Sequence, residues 1–150
     1  MPPNPRPRVF LDSNVIFSGL YSSEGAPAVI LRRFIEGGLR VVMSQQVLEE
    51  VVRTMNEKLP EALPSLRQLL VSVPPEITED PAPEDVARWD GVIHADDAGV
   101  LAAAVAAQPD YLITGDKHFF ESPGIAEKTG LQIVTPAQFL ECSEEDAESS

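Results

Sequence analysis

The sequence is short of cysteine, with Cys142 alone among its 150 residues. A single thiol cannot close an internal disulfide, so the fold does not depend on an oxidising compartment. No apolar run approaches the roughly 18 residues of a membrane span, and the N-terminal segment lacks the apolar core of a secretory signal. These absences exclude a disulfide-stabilised secreted domain and an integral membrane protein. They predict a cytoplasmic protein that has no membrane partner.

Basic residues are also scarce. The chain has 11 Lys and Arg against 24 Asp and Glu, which gives a net charge of −13. Nucleic-acid binders usually present a basic surface, so contact with a polyanion here must be local or mediated by bound cations. Aromatic residues make up only 6% of the chain. Phe17, Phe34 and Trp89 are expected to pack in the core or loops rather than to stack on bases.

Short apolar runs alternate with helical stretches along the chain. Strands are predicted at 8–11, 39–43, 71–73, 111–113 and 132–134. Helices are predicted at 28–36, 45–58, 65–70, 97–108 and from Pro136 to about Leu140. The segment from 74 to 91 is rich in proline and acid, and is predicted to be mostly loop with one turn near 84–89. Continuous apolar runs are typical of parallel strands covered on both faces, so the alternation predicts an α/β domain with a mainly parallel sheet.

The length predicts one domain. Residues 1–7 are predicted to be a flexible, proline-rich arm, and residues 8–140 the folded domain. Residues 141–150 carry five acids and no base, which predicts an acidic, disordered tail.

Four acids fall where such a sheet would gather them. In open α/β sheets, ligand sites form beyond the carboxyl ends of the strands. Asp12 and Asp116 each follow a predicted strand, Glu50 lies in the helix after the second strand, and Asp97 begins the helix before the 111–113 strand. Gathering carboxylates is costly unless cations neutralise them, and Mg²⁺ and Mn²⁺ prefer carboxylate and water ligands. The pattern predicts a nuclease-type site in which bound divalent metal holds a phosphodiester.

Each acid also has a structural interpretation. Asp12 and Asp116 could cap the turns that follow their strands, and Asp97 could be a helix N-cap, with Asp96 competing for its role. Glu49 and Glu50 lie on opposite flanks of the apolar face of their helix, about equally far from its centre. Helical periodicity therefore leaves the choice between these two glutamates open.

Four segments together resemble the PIN-domain family, of the kind found among bacterial toxin–antitoxin ribonucleases. They are VFLDSNVIFSGL, MSQQVLEEVV, HADDAGVLAAAVAAQPDYLITGDKHF and IVTPAQFL, and they cover most of residues 8–140. The resemblance implies a three-layer α/β/α fold with a mainly parallel sheet of four or five strands between helices. It also implies Mg²⁺- or Mn²⁺-dependent cleavage of RNA, and it suggests an antitoxin partner and a homodimer.

The resemblance assigns roles to residues that match the family's motifs. Its metal-binding and catalytic acids correspond to Asp12, Glu50 rather than Glu49, Asp97 and Asp116. The supporting positions are Asn14, Ser44, Asp96 and Thr114.

Two positions depart from the family's pattern. His94 and His118 stand where relatives often carry additional acids. Both are interpreted here as exposed loop histidines.

Two other functions compete with a nuclease. A phosphohydrolase could use Asp12 as a covalent nucleophile, but phosphatases of the haloacid-dehalogenase type usually carry a second Asp two residues on, where this chain has Asn14. A binding module could keep the fold and lack turnover, which the net charge of −13 would suit.

Overall fold

A five-stranded sheet, all parallel, forms the centre of the part of the chain that the structure describes. The computed structural model describes the backbone of residues 6–149 and the side chains of residues 6–142. The strands are β1 (Arg8–Leu11), β2 (Arg40–Ser44), β3 (Glu76–Thr78), β4 (Tyr111–Ile113) and β5 (Ile133–Val134), in the order β3-β2-β1-β4-β5. The predicted parallel sheet is therefore confirmed.

Strand β1 lies at the middle of the sheet, between β2 and β4. Val9 is in register with Val41 on one side, and Phe10 with Leu112 on the other. The chain builds β2 and β3 outward on one side of β1, then returns to build β4 and β5 on the other. This reversal places a topological switch point between β1 and β4. In such sheets the carboxyl ends of the strands flanking the switch point frame a ligand crevice.

Helices cover the sheet in a three-layer α/β/α arrangement, as predicted. They are α1 (Ser13–Tyr21), α2 (Ala26–Ile35), α3 (Gln45–Lys58), α4 (Leu63–Ser72), α5 (Pro83–Ala87), α6 (Ala95–Ala107), α7 (His118–Glu121), α8 (Ile125–Thr129) and α9 (Pro136–Ser149). Helix α1 packs against α2 and α3, and α2 packs against α9. Within residues 6–149, no helix is both long and apolar enough to cross a bilayer.

The core is densest around the central strands. Val9, Phe10, Leu112 and Ile113 are completely buried. Burying each such side chain contributes roughly 1.5–3 kcal/mol. The apolar runs that predicted strands covered on both faces are thus the central part of the core.

Helix α1 was not predicted. Its sequence, SNVIFSGLY, contains β-branched residues, serine and glycine, which are only moderate or poor helix formers. Tertiary packing compensates, because Val15 and Ile16 are buried against the core. The short helices α7 and α8 also lie where no helix was predicted.

The predicted strand at 71–73 is wrong. Val71 and Ser72 complete helix α4, and the third strand of the sheet is β3, inside the segment predicted to be loop. Strand β3 pairs only with β2 at the edge of the sheet, and its Ile77 is exposed. An exposed edge strand does not need the apolar run that identifies a buried strand.

Helix α9 continues beyond its predicted end. A capping box starts it, since Thr135 Oγ1 accepts from the Gln138 N–H at 3.1 Å and Gln138 Oε1 accepts from the Thr135 N–H at 2.9 Å. The helix runs to Ser149, beyond the predicted end near Leu140. No glycine or proline lies in that stretch to stop it. The division into arm, domain and tail stays a prediction, and residues 1–5 of the arm lie outside the described residues.

Candidate active site

Asp12 lies directly beyond the carboxyl end of β1, and its side chain is fixed by three neutral donors. Oδ1 accepts from the Ser13 N–H at 2.8 Å. Oδ2 accepts from Thr114 Oγ1 at 2.8 Å and from Asn14 Nδ2 at 3.2 Å. The residue is only 5% exposed. Asp12 is the N-cap of α1, so its structural interpretation is correct, but burial on this scale goes beyond what a cap requires.

Thr114 and Asn14 join the loop after β1 to the loop after β4. Thr114 is fully buried, and its Oγ1 accepts from the Asp116 N–H at 3.0 Å while donating to Asp12. Asn14 Oδ1 accepts from the Gly115 N–H at 2.9 Å. A Cβ at residue 115 would lie 3.3 Å from Asn14 Oδ1, so glycine permits this close approach. The two supporting residues therefore hold Asp12 and Asp116 on the same crevice.

Asp97 lies in the first turn of α6 but does not cap it. The N-cap is His94, whose Nδ1 accepts from the Asp96 N–H at 3.2 Å. Asp97 is only 9% exposed, and its Oδ2 lies 2.6 Å from His118 Nδ1. The cap interpretation of Asp97 is therefore wrong, and its carboxylate is turned inward.

Asp116 caps the turn before α7 and also acts on Asp97. Its Oδ1 accepts from the His118 N–H at 2.9 Å, which confirms the turn-capping interpretation. Asp116 also raises the pKa of Asp97, and its charge raises the pKa of Asp12. Asp116 is thus the acid that links the other two.

Glu50 and Glu49 differ in a way that the helix pattern could not show. Glu50 is half-buried, and its charge raises the pKa of Asp12. Glu49 is exposed, and its Oε1 accepts from Gln45 Nε2 at 3.4 Å. Of the two glutamates, Glu50 is the one whose charge reaches the crevice.

Asp96 and Ser44 have roles outside the acid cluster. The Asp96 side chain is exposed and lies 3.5 Å from His94 Nδ1. Ser44 is buried and caps α3, its Oγ accepting from the Val47 N–H at 3.3 Å. Ser44 therefore orients the helix that carries Glu50, and Asp96 is turned away from the other acids.

The interpretation of His118 as an exposed loop residue is wrong. It begins α7 and is partly buried against Asp97 and Asp116. His94 is exposed, as predicted, but it caps α6 and its ring stacks on that of His118, with centroids 4.6 Å apart and planes 7° apart. Among the described side chains, one group of three potential metal ligands has all its ligand atoms within 4.8 Å: His94, Asp97 and His118. The sequence signal was the placement of each histidine within three residues of a predicted acid.

Burial dominates the electrostatics of the crevice. It raises the pKa of Asp12 to about 6, although hydrogen bonds from Thr114 and Ser13 oppose the rise and the charges of Glu50 and Asp116 add to it. Burial likewise raises the pKa of Asp97, where His118 opposes the rise and Asp116 adds to it. No lysine or arginine is among the groups that act on either carboxyl. Of the basic side chains, only that of His118, beside Asp97, is among the main influences on these two carboxyls.

This donor set fits a divalent cation. Asp12, Asp116 and Glu50 offer carboxylate oxygens, the ligand type that Mg²⁺ and Mn²⁺ prefer. A cation would also offset the burial that disfavours the ionised form of Asp12. In the described residues the four acids do not form one tight ligand group. That spread suits an ion that takes one or two protein carboxylates and fills its other positions with water or phosphate oxygens.

A parallel α/β domain with an acidic crevice at its switch point is the class of protein that this fold and site define. The chain belongs to the PIN-domain family, because the model of the PIN domain matches residues 8–118. All of the predicted site residues lie inside the matched range: Asp12, Asn14, Ser44, Glu50, Asp96, Asp97, Thr114 and Asp116.

Solved structures share the fold at low sequence identity. The crystal structure of VapBC2 from Rickettsia felis, bound to a DNA fragment from its promoter, matches with a TM-score of 0.60 and 17% identity, over 85% of this chain and 98% of that one. PAE2754 from Pyrobaculum aerophilum matches with a TM-score of 0.58 and 18% identity, over 91% of this chain and 90% of that one. No curated protein sequence matches the chain.

Proposed function

We propose that this protein is an Mg²⁺- or Mn²⁺-dependent endoribonuclease that hydrolyses RNA phosphodiester bonds in the cytoplasm. One observation carries the proposal. Asp12 is a buried carboxylate that experiences the charges of Glu50 and Asp116, and no lysine or arginine is among the groups acting on it. A fold does not retain such an arrangement for stability, because burying uncompensated carboxylates is unfavourable.

In this proposal Asp12, Glu50, Asp97 and Asp116 supply the oxygen ligands of the metal. Thr114 and Asn14 fix the orientation of Asp12 through its Oδ2 atom. Ser44 anchors the start of the helix that carries Glu50. These contacts hold the acids in place before substrate arrives, so little reorganisation is needed during the reaction.

A divalent ion bound there would polarise the phosphoryl oxygen and lower the pKa of the attacking water. The side chains of the chain itself orient that reaction rather than attack the phosphorus. Asn14 occupies the place where a second acid would assist an aspartyl nucleophile, and both ends of its amide are engaged, with Asp12 and Gly115. Hydrolysis by an activated water is therefore favoured over a phosphohydrolase that uses Asp12 as nucleophile.

The biological setting proposed is the toxin of a toxin–antitoxin pair. The similarity in fold to VapBC2 from Rickettsia felis supports this setting by analogy. An antitoxin protein and a second copy of the chain are the proposed protein partners, with RNA as substrate and no membrane association.

A catalytically silent binding module remains the second candidate, and two observations favour it. The net charge is −13, and Arg8 and Arg40 begin β1 and β2, at the amino ends of the strands, opposite the crevice. RNA approaching the acids would therefore not meet these two arginines, and bound metal would have to supply part of the attraction.

A cleavage assay with a folded Asp12→Asn variant tests the proposal. Purified protein is incubated with a pool of single-stranded RNA in Mg²⁺, in Mn²⁺ and in chelator, and the ends of the products are sequenced. We expect metal-dependent cleavage by the wild type and a loss of roughly 10³-fold in the variant, as for removal of a catalytic group. Equal rates in the two proteins would refute the site assignment.

Calorimetric titration separates the two candidates. Mn²⁺ binding that disappears in Asp12→Asn, without cleavage of any RNA in the pool by the wild type, would identify the binding module instead. Metal binding together with cleavage supports the nuclease.

A further inference from the structure

The two histidines of this chain form a cluster that the proposed nuclease function does not use. They are the only histidines in the sequence, they lie 24 residues apart, and yet their rings stack face to face. Together with Asp97 they bring three potential ligand atoms within 4.8 Å of one another. The site of the proposed nuclease needs only oxygen ligands, so paired imidazoles beside it call for a separate explanation.

The contacts of His118 place a ring nitrogen beside carboxylate oxygens. Its Nδ1 lies 2.6 Å from Asp97 Oδ2 and 3.4 Å from Asp116 Oδ1. A metal ion could replace the proton between Nδ1 and Asp97 Oδ2, because metal binding releases the protons that its ligands hold. His118 and Asp97 would then give the same ion two neighbouring ligands, one imidazole nitrogen and one carboxylate oxygen.

His94 can close the cluster. Its side chain is 51% exposed, and the bond that its Nδ1 accepts from the Asp96 N–H is long, at 3.2 Å. Tetrahedral coordination with bonds of about 2.0–2.1 Å needs ligand atoms roughly 3.3 Å apart. An exposed ring can supply that contraction by a change of rotamer, whereas a buried ring could not.

We propose that His94, His118 and Asp97 form a transition-metal site, selective for ions such as Zn²⁺ over Mg²⁺, at the mouth of the acidic crevice. Imidazole nitrogen suits Zn²⁺, Ni²⁺ and Co²⁺, whereas Mg²⁺ takes oxygen ligands. Three protein ligands leave one coordination position open for water or a phosphate oxygen. The site shares Asp97 with the proposed nuclease centre but does not depend on nuclease activity. The two imidazoles would give this chain a preference for Zn²⁺ over Mg²⁺ that a crevice of carboxylates alone would lack.

Imidazole nitrogen resonances give the sharpest test, because only two rings contribute. Untagged protein carrying Cys142→Ser, which removes the one thiol that could compete, is labelled with ¹⁵N and titrated with Zn²⁺ in excess Mg²⁺. We expect one nitrogen of each ring to shift at one equivalent of Zn²⁺. The absorption spectrum with Co²⁺ should show low-coordinate ligation. Shifts in neither ring would overturn the proposal.

Affinities measured by calorimetry in the same background extend the test. His94→Gln and His118→Gln should each weaken Zn²⁺ binding at least tenfold. His94→Gln should leave Mg²⁺ binding unchanged, because the His94 side chain bonds to Asp96 rather than to a proposed Mg²⁺ ligand. Asp96→Asn is the matched control, an exposed carboxylate beside His94 that should retain Zn²⁺ affinity. Undiminished Zn²⁺ affinity in the double histidine variant would refute the site, provided that its circular dichroism shows a folded protein. Folded Asp12→Asn should still bind Zn²⁺ at the histidines, so failure of the nuclease proposal would be distinguishable from failure of this one.

Discussion

The charged residues at the two ends of the central strand β1 have opposite surroundings. At its start, Arg8 forms an ion pair with Glu76 at 2.9 Å, donates its backbone N–H to Asp110 Oδ2 at 2.8 Å, and contacts the Ala107 carbonyl. At its other end, four residues later, Asp12 is buried among neutral donors and other acids. At the first end the charge of Arg8 is neutralised by nearby acceptors, whereas at the second end several negative charges lie close together.

This difference distinguishes residues at one end of the strand that stabilise the fold from residues at the other end that suit a functional site. Acids that pair with a base, such as Glu76, have a local structural explanation. Asp12 and Asp97 differ, because burial and neighbouring acids raise their pKa values, and groups perturbed in this way concentrate at functional sites. The contrast therefore points to the carboxyl edge, rather than to the arginine-bearing amino edge, as the site of chemistry.

The pH dependence of stability should show the contrast most strongly. The pKa of Asp12 is about 6 in the folded protein, against an ordinary value of 3.8. The folded state therefore binds the Asp12 proton more tightly than the unfolded state does. This proton stabilises the folded protein at low pH, and the stabilisation is lost as the pH rises from about 4 through 6. The loss is on the order of 3 kcal/mol. Urea unfolding of metal-free protein between pH 4 and pH 7.5 measures it.

The Asp12→Asn variant is the control for that measurement. The variant cannot ionise at this position, so it should lose less stability than the wild type over the same range and exceed it in stability at pH 7.5. Other groups, including Asp97 and His118, whose pKa values are also raised, titrate in both proteins and cancel in the difference. Parallel curves for the two proteins would mean that Asp12 is not desolvated as the structure shows.

Much of this architecture is predictable from sequence because its signals are local. Strand β1 and helix α3 have the predicted bounds, since one is a buried apolar run and the other starts at a serine cap. The convergence of Asp12 and Asp116 follows from the parallel sheet, which aligns the carboxyl ends of β1 and β4. Local pattern and general topology were sufficient there.

The features that escaped prediction depend on contacts between distant segments. His118 meets Asp97 only because the loop after β4 packs onto the first turn of α6. Strand β3 is defined by pairing with β2, and its three residues lie in a proline- and acid-rich segment without the apolar run of a buried strand. Helical periodicity could not choose between Glu49 and Glu50, because both flank the same apolar stripe of α3, and only the family motif favoured Glu50.

Neutralising Glu50 should have a smaller effect on the crevice than neutralising Asp12. Glu50→Gln removes one of the negative charges that act on Asp12 and, in the proposed site, one metal ligand. We expect RNA cleavage at subsaturating Mn²⁺ to fall about tenfold, equivalent to about 1.4 kcal/mol. Glu49→Gln provides a matched control on the same helix and should cleave at the wild-type rate. The reverse ranking of these two variants would transfer the assignment to Glu49.

The smallest effect is expected at the amino edge, from Glu76→Gln. The ion pair of Glu76 with Arg8 is largely solvent-accessible, with 56% of the Glu76 side chain exposed. Exposed pairs contribute roughly 0–1 kcal/mol, and Arg8 keeps its contact with the Ala107 carbonyl in the variant. Unfolding in urea should therefore show a loss of at most about 1 kcal/mol, while metal affinity and RNA cleavage stay at wild-type levels. A substantial change in either activity would mean that the amino edge also takes part in function, and that the contrast between the two ends of β1 is not the boundary between structure and chemistry.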